Sequence, residues 1–280
     1  MRLKRNIYLA AFFTLFSLQA AFCQGYKVKT IVIDAGHGGD KPGAAGSYST
    51  EKNIALQVAL KLGKKFEEEM PDMKIIYTRK RDVDVSLYRR AEMANDAKAD
   101  LFIAIHCNSM PDRRVVTGYT KVRGKKRAKY SYVKNKTTSG TETFVAGSHR
   151  LNEQNGAIRE NEDIKFEKDY KKNYDGYDPN DPETFIILSL FKNTYRDKSL
   201  QLAKLIQGNY TNDNRRLNRG VKEQGILVLQ RCGMPSVLTE IGFISNPTEE
   251  DYMNSASGQS EIVNAIFKAV KTYKKQTEVN

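Results

Sequence analysis

Short apolar, β-branched runs recur along the chain at residues 28–34, 74–78, 101–106, 143–145, 225–229 and 236–240, and stretches with helical spacing lie between them. Alternation of this kind predicts a single α/β domain, a mostly parallel twisted sheet of about six strands flanked by helices. The clearest helix follows the first run. Ile54, Val58 and Leu62 repeat at four-residue spacing behind a cap at Thr50, and the pattern closes near Phe66, before Pro71. Further helices are predicted over residues 86–97, 183–193, 198–209 and 260–273. No internal repeat interrupts this order.

Two segments break the alternation and read as insertions. Residues 110–139 are basic. Residues 147–182 are polar and contain "RLNEQNGAIRENEDIKFEKDY", in which Leu151, Ile158 and Ile164 form a thin apolar stripe, as in a helix that docks weakly.

At 280 residues the chain can bury a proper core without disulfide staples. Its opening is of a different kind. Arg2, Lys4 and Arg5 precede an apolar run from Ile7 to about Phe22 and then small residues at Ala21 and Cys23, the order of a secretory signal. Residues 1–23 are therefore set apart as a signal peptide, leaving a domain over residues 24–280. Lipid attachment at Cys23 is the weaker reading, because Phe22 is bulky where a lipoprotein signal carries a small residue. If uncut, the run could anchor the protein, but it is short for a bilayer span. No later stretch could cross a membrane. Export permits a bridge between Cys107 and Cys232, yet one ends a predicted strand and the other precedes one, so both are expected to stay free.

The net charge of +13 is uneven. Arg113, Arg114, Lys121, Arg123, Lys125, Lys126, Arg127, Lys129, Lys134 and Lys136 cluster in the first insertion, which reads as a solvated, mobile loop. Its functional reading is attraction to an acidic polymer. Export, and the lack of a nucleic-acid-binding module, argue against nucleic acid.

The candidate chemistry sits at strand ends, where the loops of an open α/β sheet converge on one crevice. His37, one of only three histidines, lies in the glycine-rich turn of "IVIDAGHGGDKPGAAG", an exposed position by its setting. His106 and Glu240 each terminate an apolar run, and Glu51 opens the helix fed by the glycine turn, where the helix dipole favours a carboxylate. Two imidazoles and a carboxylate are a common protein set for a catalytic zinc. His37, Glu51 and His106 are assigned as metal ligands to Zn2+ and Glu240 as the base that takes a proton from water. Taken singly each has a blander reading: a turn histidine, a strand-end cap, a salt-bridge partner, a first-turn acid. A phosphate loop is a weaker reading of the glycines still, since neither GxGxxG nor GxxxxGK occurs. His149, at the mouth of the second insertion, reads as structural or surface.

Together the motifs match something specific. "IVIDAGHGG" with Glu51, "ADLFIAIHCNS" preceded by Arg79, Asp82, Leu87, Arg90 and Asn95, and "MPSVLTEIGFISNPTEE" resemble the zinc-dependent N-acetylmuramoyl-L-alanine amidases, in particular the periplasmic enzymes that separate daughter cells. The resemblance runs from about Val28 to Tyr273. It implies hydrolysis of the amide between N-acetylmuramic acid and the first L-alanine of the peptidoglycan stem peptide, with His37, Glu51 and His106 at the positions of the metal ligands and Glu240 at that of the catalytic glutamate.

The segment "AIRENEDIKFEKDY", with the "YDGYDPNDPETFIILSLFKNTY" that follows, resembles the regulatory insertion of the cell-division branch, whose helix lies over the cleft. This implies autoinhibition, with Glu160 in the zinc's open position, Glu162 and Glu167 as runners-up, and a LytM-type activator protein that withdraws the helix. Neither a separate targeting domain nor a wall-binding repeat is read in the sequence, so localisation is expected to come from the domain, its insertions or a partner. The rival readings are a zinc hydrolase of another amide, such as a peptide bond or an N-acetyl group, and a catalytically silent wall-binding protein.

Overall fold

The structure is a computed structural model that describes residues 27–147, 154–167, 170–174 and 194–278. The expected signal peptide with Cys23, together with His149, Leu151 and the helix expected over residues 183–193, lies outside the described residues.

Strand β1 (Thr30–Ala35) is apolar on both sides, as suits an interior parallel strand. Helix α1 (Glu51–Glu69) buries Ile54, Val58 and Leu62 as its spacing predicts. Thr50 holds the cap position with extended backbone, but its hydroxyl makes no capping bond. The amides of Glu51 and Lys52 instead donate to the carbonyls of Ala44 and Pro42 in the preceding loop. Strand β2 (Lys74–Tyr77) leads to α2 (Leu87–Asp96), where Ser86 does cap, accepting from the Arg89 amide at 3.2 Å. Strand β3 (Leu101–Asn108) follows, buried throughout.

After β3 the basic segment departs from expectation. It is a β-hairpin, β4 (Arg113–Val122) and β5 (Lys125–Val133), and no loose loop. Arg123 and Gly124 at its tip both have positive φ, 49° and 75°, which matches the right-handed strand twist in a two-residue turn.

Strand β6 (Thr141–Ala146) returns to the main sheet. Helix α3 (Asn155–Asn161) runs into a 3₁₀ turn (Glu162–Phe166), and the one-turn α4 (Tyr170–Asn173) follows. Then come α5 (Arg196–Asn212), β7 (Asn218–Gln224), the one-turn α6 (Leu227–Gln230), β8 (Ser236–Phe243), α7 (Pro247–Asn254) and α8 (Ala256–Glu278).

The strand expected at 225–229 is thus misplaced. The pairing segment is the polar β7, a sheet edge, whereas Ile226, Leu227, Val228 and Leu229 form a buried turn of helix that fills the core. Helix α7 was unforeseen, although Asn246 caps it, Pro247 opens it and Glu249 and Glu250 follow in its first turn.

The six-stranded sheet has the order β2-β1-β3-β8-β6-β7. Neighbours are parallel except β6 and β8. Helices α1, α5, α7 and α8 cover one face, and α2, α3 and α6 the other. Side chains of β3 alternate between the two: Leu101, Ile103, Ile105 and Cys107 join the first apolar cluster, Phe102 and Ala104 the second. Cys107 and Cys232 are free thiols in different clusters, with the sheet between them. The same alternation turns Asp34, His106 and Glu240 toward the second face. Register then aligns His106 with Glu240 and Glu240 with Glu142 in one row across the sheet. Among the described residues no helix is long and apolar enough to cross a membrane.

Candidate metal centre and active site

The loop after β1 is held from beneath by two arginines. Arg90 donates to Asp34 Oδ1 at 2.7 Å and to the carbonyls of Ala35 and His37, each at 2.6 Å. Arg79 donates to the carbonyls of Ala35, Gly36 and Lys52. Burial would push the Asp34 carboxyl up, but Arg90, the Thr78 hydroxyl and His106 outweigh it and hold the group below the usual carboxylate value. Asp82 accepts from the Gly39 amide and Lys52, and Asn95 clamps the turn before β8 through the Arg231 carbonyl and the Gly233 amide. Arg79, Asp82, Arg90 and Asn95, which helped to carry the resemblance, are therefore scaffolding for the loop and strand ends.

On this scaffold His37 and His106 meet edge to face, with ring centroids 5.0 Å apart. Two glycines permit the approach. A Cβ on Gly36 would lie 2.5 Å from the His106 ring, and one on Gly43, whose φ is +66°, 2.5 Å from the His37 ring. Glu51 bridges the pair, Oε2 at 3.2 Å from His37 Nε2 and Oε1 at 2.9 Å from His106 Nδ1. The amides of Ala44 and Cys107 fix its two oxygens. These groups, with Glu240, form the floor of the site.

His37 is not exposed as its glycine-rich setting suggested; it is 5% accessible. The residues that cover it come from α3 and the 3₁₀ turn. Glu160 places Oε2 at 2.7 Å from His106 Nδ1 and 3.7 Å from His37 Nε2, and Asp163 Oδ2 accepts from His37 Nδ1 at 2.9 Å. Arg159 reaches Glu240, Glu160 and Asn108 with three different nitrogens. These form a roof. The space it encloses with His37 and His106 is about 10 Å³, room for about one water molecule and no peptide. A larger cleft of about 1150 Å³ opens beside it, lined by Asn108, Glu142, Arg159, Arg219 and Lys222 among others.

Of the expected inhibitory acids only Glu160 reaches the centre. Glu162 is exposed and pairs with Lys165, while Glu167 accepts from the Leu87 amide at the start of α2 and from Tyr174. The apolar stripe expected on this segment is also partly wrong. Ile164 is buried but Ile158 is exposed, and the helix attaches through Ala157 and through amides: Gln154 accepts from Gly225, and Asn161 bonds the Gly225 carbonyl and the Leu227 amide.

The donor set suits a divalent cation. One ligand atom from each of His37, Glu51, His106 and Glu160 lies within 4.8 Å of the others, and His37 Nε2 and Glu160 Oε2 are buried with only ion contacts, to Glu51 and His106, in place of aligned hydrogen bonds. Asp163 on His37 Nδ1 is the outer carboxylate that commonly orients a metal-binding imidazole.

Burial opposes protonation of both rings, but Glu51 and Asp163 raise His37 to about 10, and Glu160 and Glu51 raise His106 well above its usual value. Burial would likewise raise the two carboxylates. The imidazoles hold Glu51 well below the ordinary range, and His106 and Arg159 bring Glu160 to about 2. A cation entering this cluster must displace protons from the rings, so its affinity depends on pH. Glu240 is fully buried and differs in sign. Burial, opposed by Arg159 and reinforced by Glu160 and Glu51, pushes it up to about 8.

Asp163, Arg159, Asn108 and Glu142 were not foreseen as site residues. Asn108 stands inside the quoted "IHCNS" and Glu142 at the start of "TETFV", so strand ends pointed to both; nothing in the sequence marks Asp163.

The sequence model of a family described as N-acetylmuramoyl-L-alanine amidase matches residues 31–272. A putative N-acetylmuramoyl-L-alanine amidase of Buchnera aphidicola subsp. Baizongia pistaciae is 30% identical over 244 residues, covering 87% of this chain and 95% of that protein. N-acetylmuramoyl-L-alanine amidase AmiC of Escherichia coli O6:H1 is 29% identical over 244 residues, 87% of this chain but 52% of the relative, so the chain spans about half its length. The crystal structure of N-acetylmuramoyl-L-alanine amidase from Clostridium difficile 630 shares the fold, with a TM-score of 0.60 at 24% identity over 89% of this chain and 97% of that one. With the match extending from β1 into α8 across every strand and loop that builds the floor, the chain belongs to the N-acetylmuramoyl-L-alanine amidase family.

Proposed function

We propose that the chain is a zinc-dependent hydrolase that cuts the amide between N-acetylmuramic acid and L-alanine in peptidoglycan. The observation that carries this reading is the convergence of His37, Glu51 and His106 within ligand distance of one another, in register with a buried Glu240. A zinc ion bound there would polarise the amide carbonyl and acidify water. Glu240, whose Oε2 has no hydrogen-bond partner, takes the proton of the attacking water and returns it to the leaving amine of L-alanine. His37, Glu51 and His106 would hold the ion, and Asp163 on His37 Nδ1 fixes the orientation of that imidazole. The cleft beside the roof receives the glycan and stem peptide.

The second part of the proposal concerns the roof, over an insertion of residues 147–182. Glu160 takes the position that substrate or water needs, and Arg159 holds the Glu240 carboxylate, so the closed roof is an autoinhibited state. A LytM-type activator, withdrawing the segment, would release it. An exported, periplasmic enzyme that separates daughter cells has reason to stay closed until such a partner arrives.

Mass analysis of the products from purified sacculi tests the reaction. Intact stem peptides with a free L-alanine amine are expected; cleavage within the peptide, or release of acetate, would replace this reading by one of its rivals. For the roof, a variant lacking residues 147–180 that retains zinc and fold should digest sacculi without help. Equal rates for this variant and the intact protein would refute autoinhibition.

A further inference from the structure

The hairpin β4–β5 has no role in the chemistry above, yet it is the most strongly charged feature of the molecule. Residues 110–139 carry ten of the chain's 46 lysines and arginines and one acid, Asp112. Among the described residues none of these cations pairs with an acid, and nearly every side chain of both strands is exposed. The arm stands apart from the main sheet as a separate two-stranded one. At about 3.3 Å per residue its ten-residue strand reaches roughly 30 Å.

Its position is tied to the site. Strand β3 ends at Asn108, Ser109 to Pro111 line the large cleft, and β4 begins two residues later at Arg113. On the return side the Thr138 carbonyl is held by the Asn246 amide. The arm therefore rises from the rim of the cleft.

The pairing register sorts its side chains. A bulge at Thr117 shifts the register between Val116 and Gly118, and on either side of it cross-strand partners share a face. One face presents Arg114, Tyr119, Lys121, Lys126, Tyr130 and Tyr132. The other presents Arg113, Lys125, Arg127 and Lys129. Two contacts corroborate the sorting: the Arg114 guanidinium lies 4.2 Å from the Tyr130 ring centroid and the Lys126 ammonium 4.2 Å from that of Tyr119, both within the first face. Charge alone would serve solubility and protect a sheet edge. Three tyrosines gathered on one solvated face, with Tyr132 68% accessible, serve neither purpose.

We infer that the hairpin is a docking arm for the anionic peptidoglycan strand, its tyrosines stacking on sugar rings and its lysines and arginines pairing with the free carboxylates of stem peptides. The choice of polymer rests on the function proposed above; the charge and the aromatic face are independent of it. An arm rooted at the cleft rim would hold the strand beside the bond to be cut. It would raise the local substrate concentration without touching the reacting atoms.

Co-sedimentation of the full chain with purified sacculi across a salt series tests the inference, with Glu240→Gln in every protein so that nothing is digested. The variant Lys125→Gln/Lys126→Gln/Arg127→Gln/Lys129→Gln should bind roughly tenfold more weakly or worse at low salt, since each exposed ion pair contributes severalfold at most. This difference should vanish near 1 M salt, where screening falls to about 3 Å. The variant Tyr119→Ser/Tyr130→Ser/Tyr132→Ser should bind more weakly at every salt concentration. With Glu240 restored, both should cleave a short soluble muropeptide at the unaltered rate. Undiminished sacculus binding in both variants would overturn the inference. So would tighter binding of the intact arm to anionic phospholipid vesicles or to single-stranded DNA than to sacculi. If instead no soluble muropeptide is cleaved while sacculus retention still follows the arm's charge, the amidase reading fails and the docking arm stands.

Discussion

His37 stands on the loop after β1, and Glu51, His106 and Glu240 on α1, β3 and β8, elements whose other sides are packed into the two apolar clusters. Arg159, Glu160 and Asp163 stand on one short helix and a 3₁₀ turn. Helix α3 has seven residues, too few to persist alone in water. Its attachment is a small apolar contact at Ala157 and Ile164, the amides of Gln154 and Asn161, and the contacts of Arg159, Glu160 and Asp163 with Glu240, His106 and His37. The floor cannot move without opening the core, whereas the roof can leave at the cost of a handful of polar bonds, most of which water can replace. On the function proposed above, the removable part of the site serves its regulation and the immovable part its chemistry. Substitutions in the two layers should therefore have different signatures.

The largest separation is expected at Glu240. Glu240→Gln keeps the shape of the side chain and should lower turnover of sacculi by roughly 10²–10⁴-fold, the range for loss of a positioned general base. Bound zinc, counted by atomic absorption, and the thermal unfolding midpoint should stay close to those of the intact protein. Near-normal turnover would move the base elsewhere.

Arg90→Met probes the floor's foundation. Removing one partner of a buried ion pair costs about 3–5 kcal/mol, so a large drop in unfolding midpoint is expected. The pH dependence carries a sign. In the intact protein Asp34 is held below its ordinary value, so its stabilisation is present above the unfolded value and is lost as pH falls through the folded one. Without Arg90, burial raises the same carboxyl, and acid relieves the variant by protonating it. The stability gap should be widest at neutral pH, begin to close as pH falls through the variant's raised carboxyl value, and go on closing below about pH 4 as the intact protein loses its own contribution. A gap that widens in acid would mean that Asp34 is not the group left stranded.

Glu160→Ala sharpens the contrast from the other side. If the closed roof leaves about 1–10% of molecules open, removing its contact to the centre should raise sacculus digestion by roughly 10–100-fold. Zinc content should be unchanged. A fall in both activity and zinc would make Glu160 a constitutive ligand and merge roof with floor.

The two layers also differed in how far the amino-acid pattern reveals them. Period-two burial and strand-end placement of His106 and Glu240 follow from local sequence, because a buried parallel strand must be apolar and a polar residue at its end stands out. The strands around β1, β3 and β8 lie close to their expected limits for the same reason. Strand β7 was misplaced because an edge strand is polar, and the apolar run beside it, though a single turn of helix, reads like a strand. The hairpin read as a loop because both faces are solvated and both carry charges, so no apolar alternation marks its strands. The roof's position over the floor came from family resemblance alone. Asp163 has no local signal at all, since its role depends on a tertiary contact with His37 across 126 positions of sequence.

The smallest expected effect tests whether the roof opens as a unit. Asn161 is buried, and its amide satisfies both the Gly225 carbonyl and the Leu227 amide at the junction with α6. Asn161→Ala strands both backbone groups when the roof is closed, at a cost of about 1–3 kcal/mol, while in the open roof water satisfies them. The penalty therefore falls on the closed state, and amides of α3 should exchange with solvent about tenfold faster or more, with β3 amides unchanged. Basal digestion should rise in the same proportion, though by less than in Glu160→Ala, because the inhibitory carboxylate is still present and only its residence time has shortened. If α3 and β3 lose protection together, opening the roof requires opening the core, and the layers are one cooperative body. The site would then be rigid throughout, and no activator could act by lifting a segment away from it.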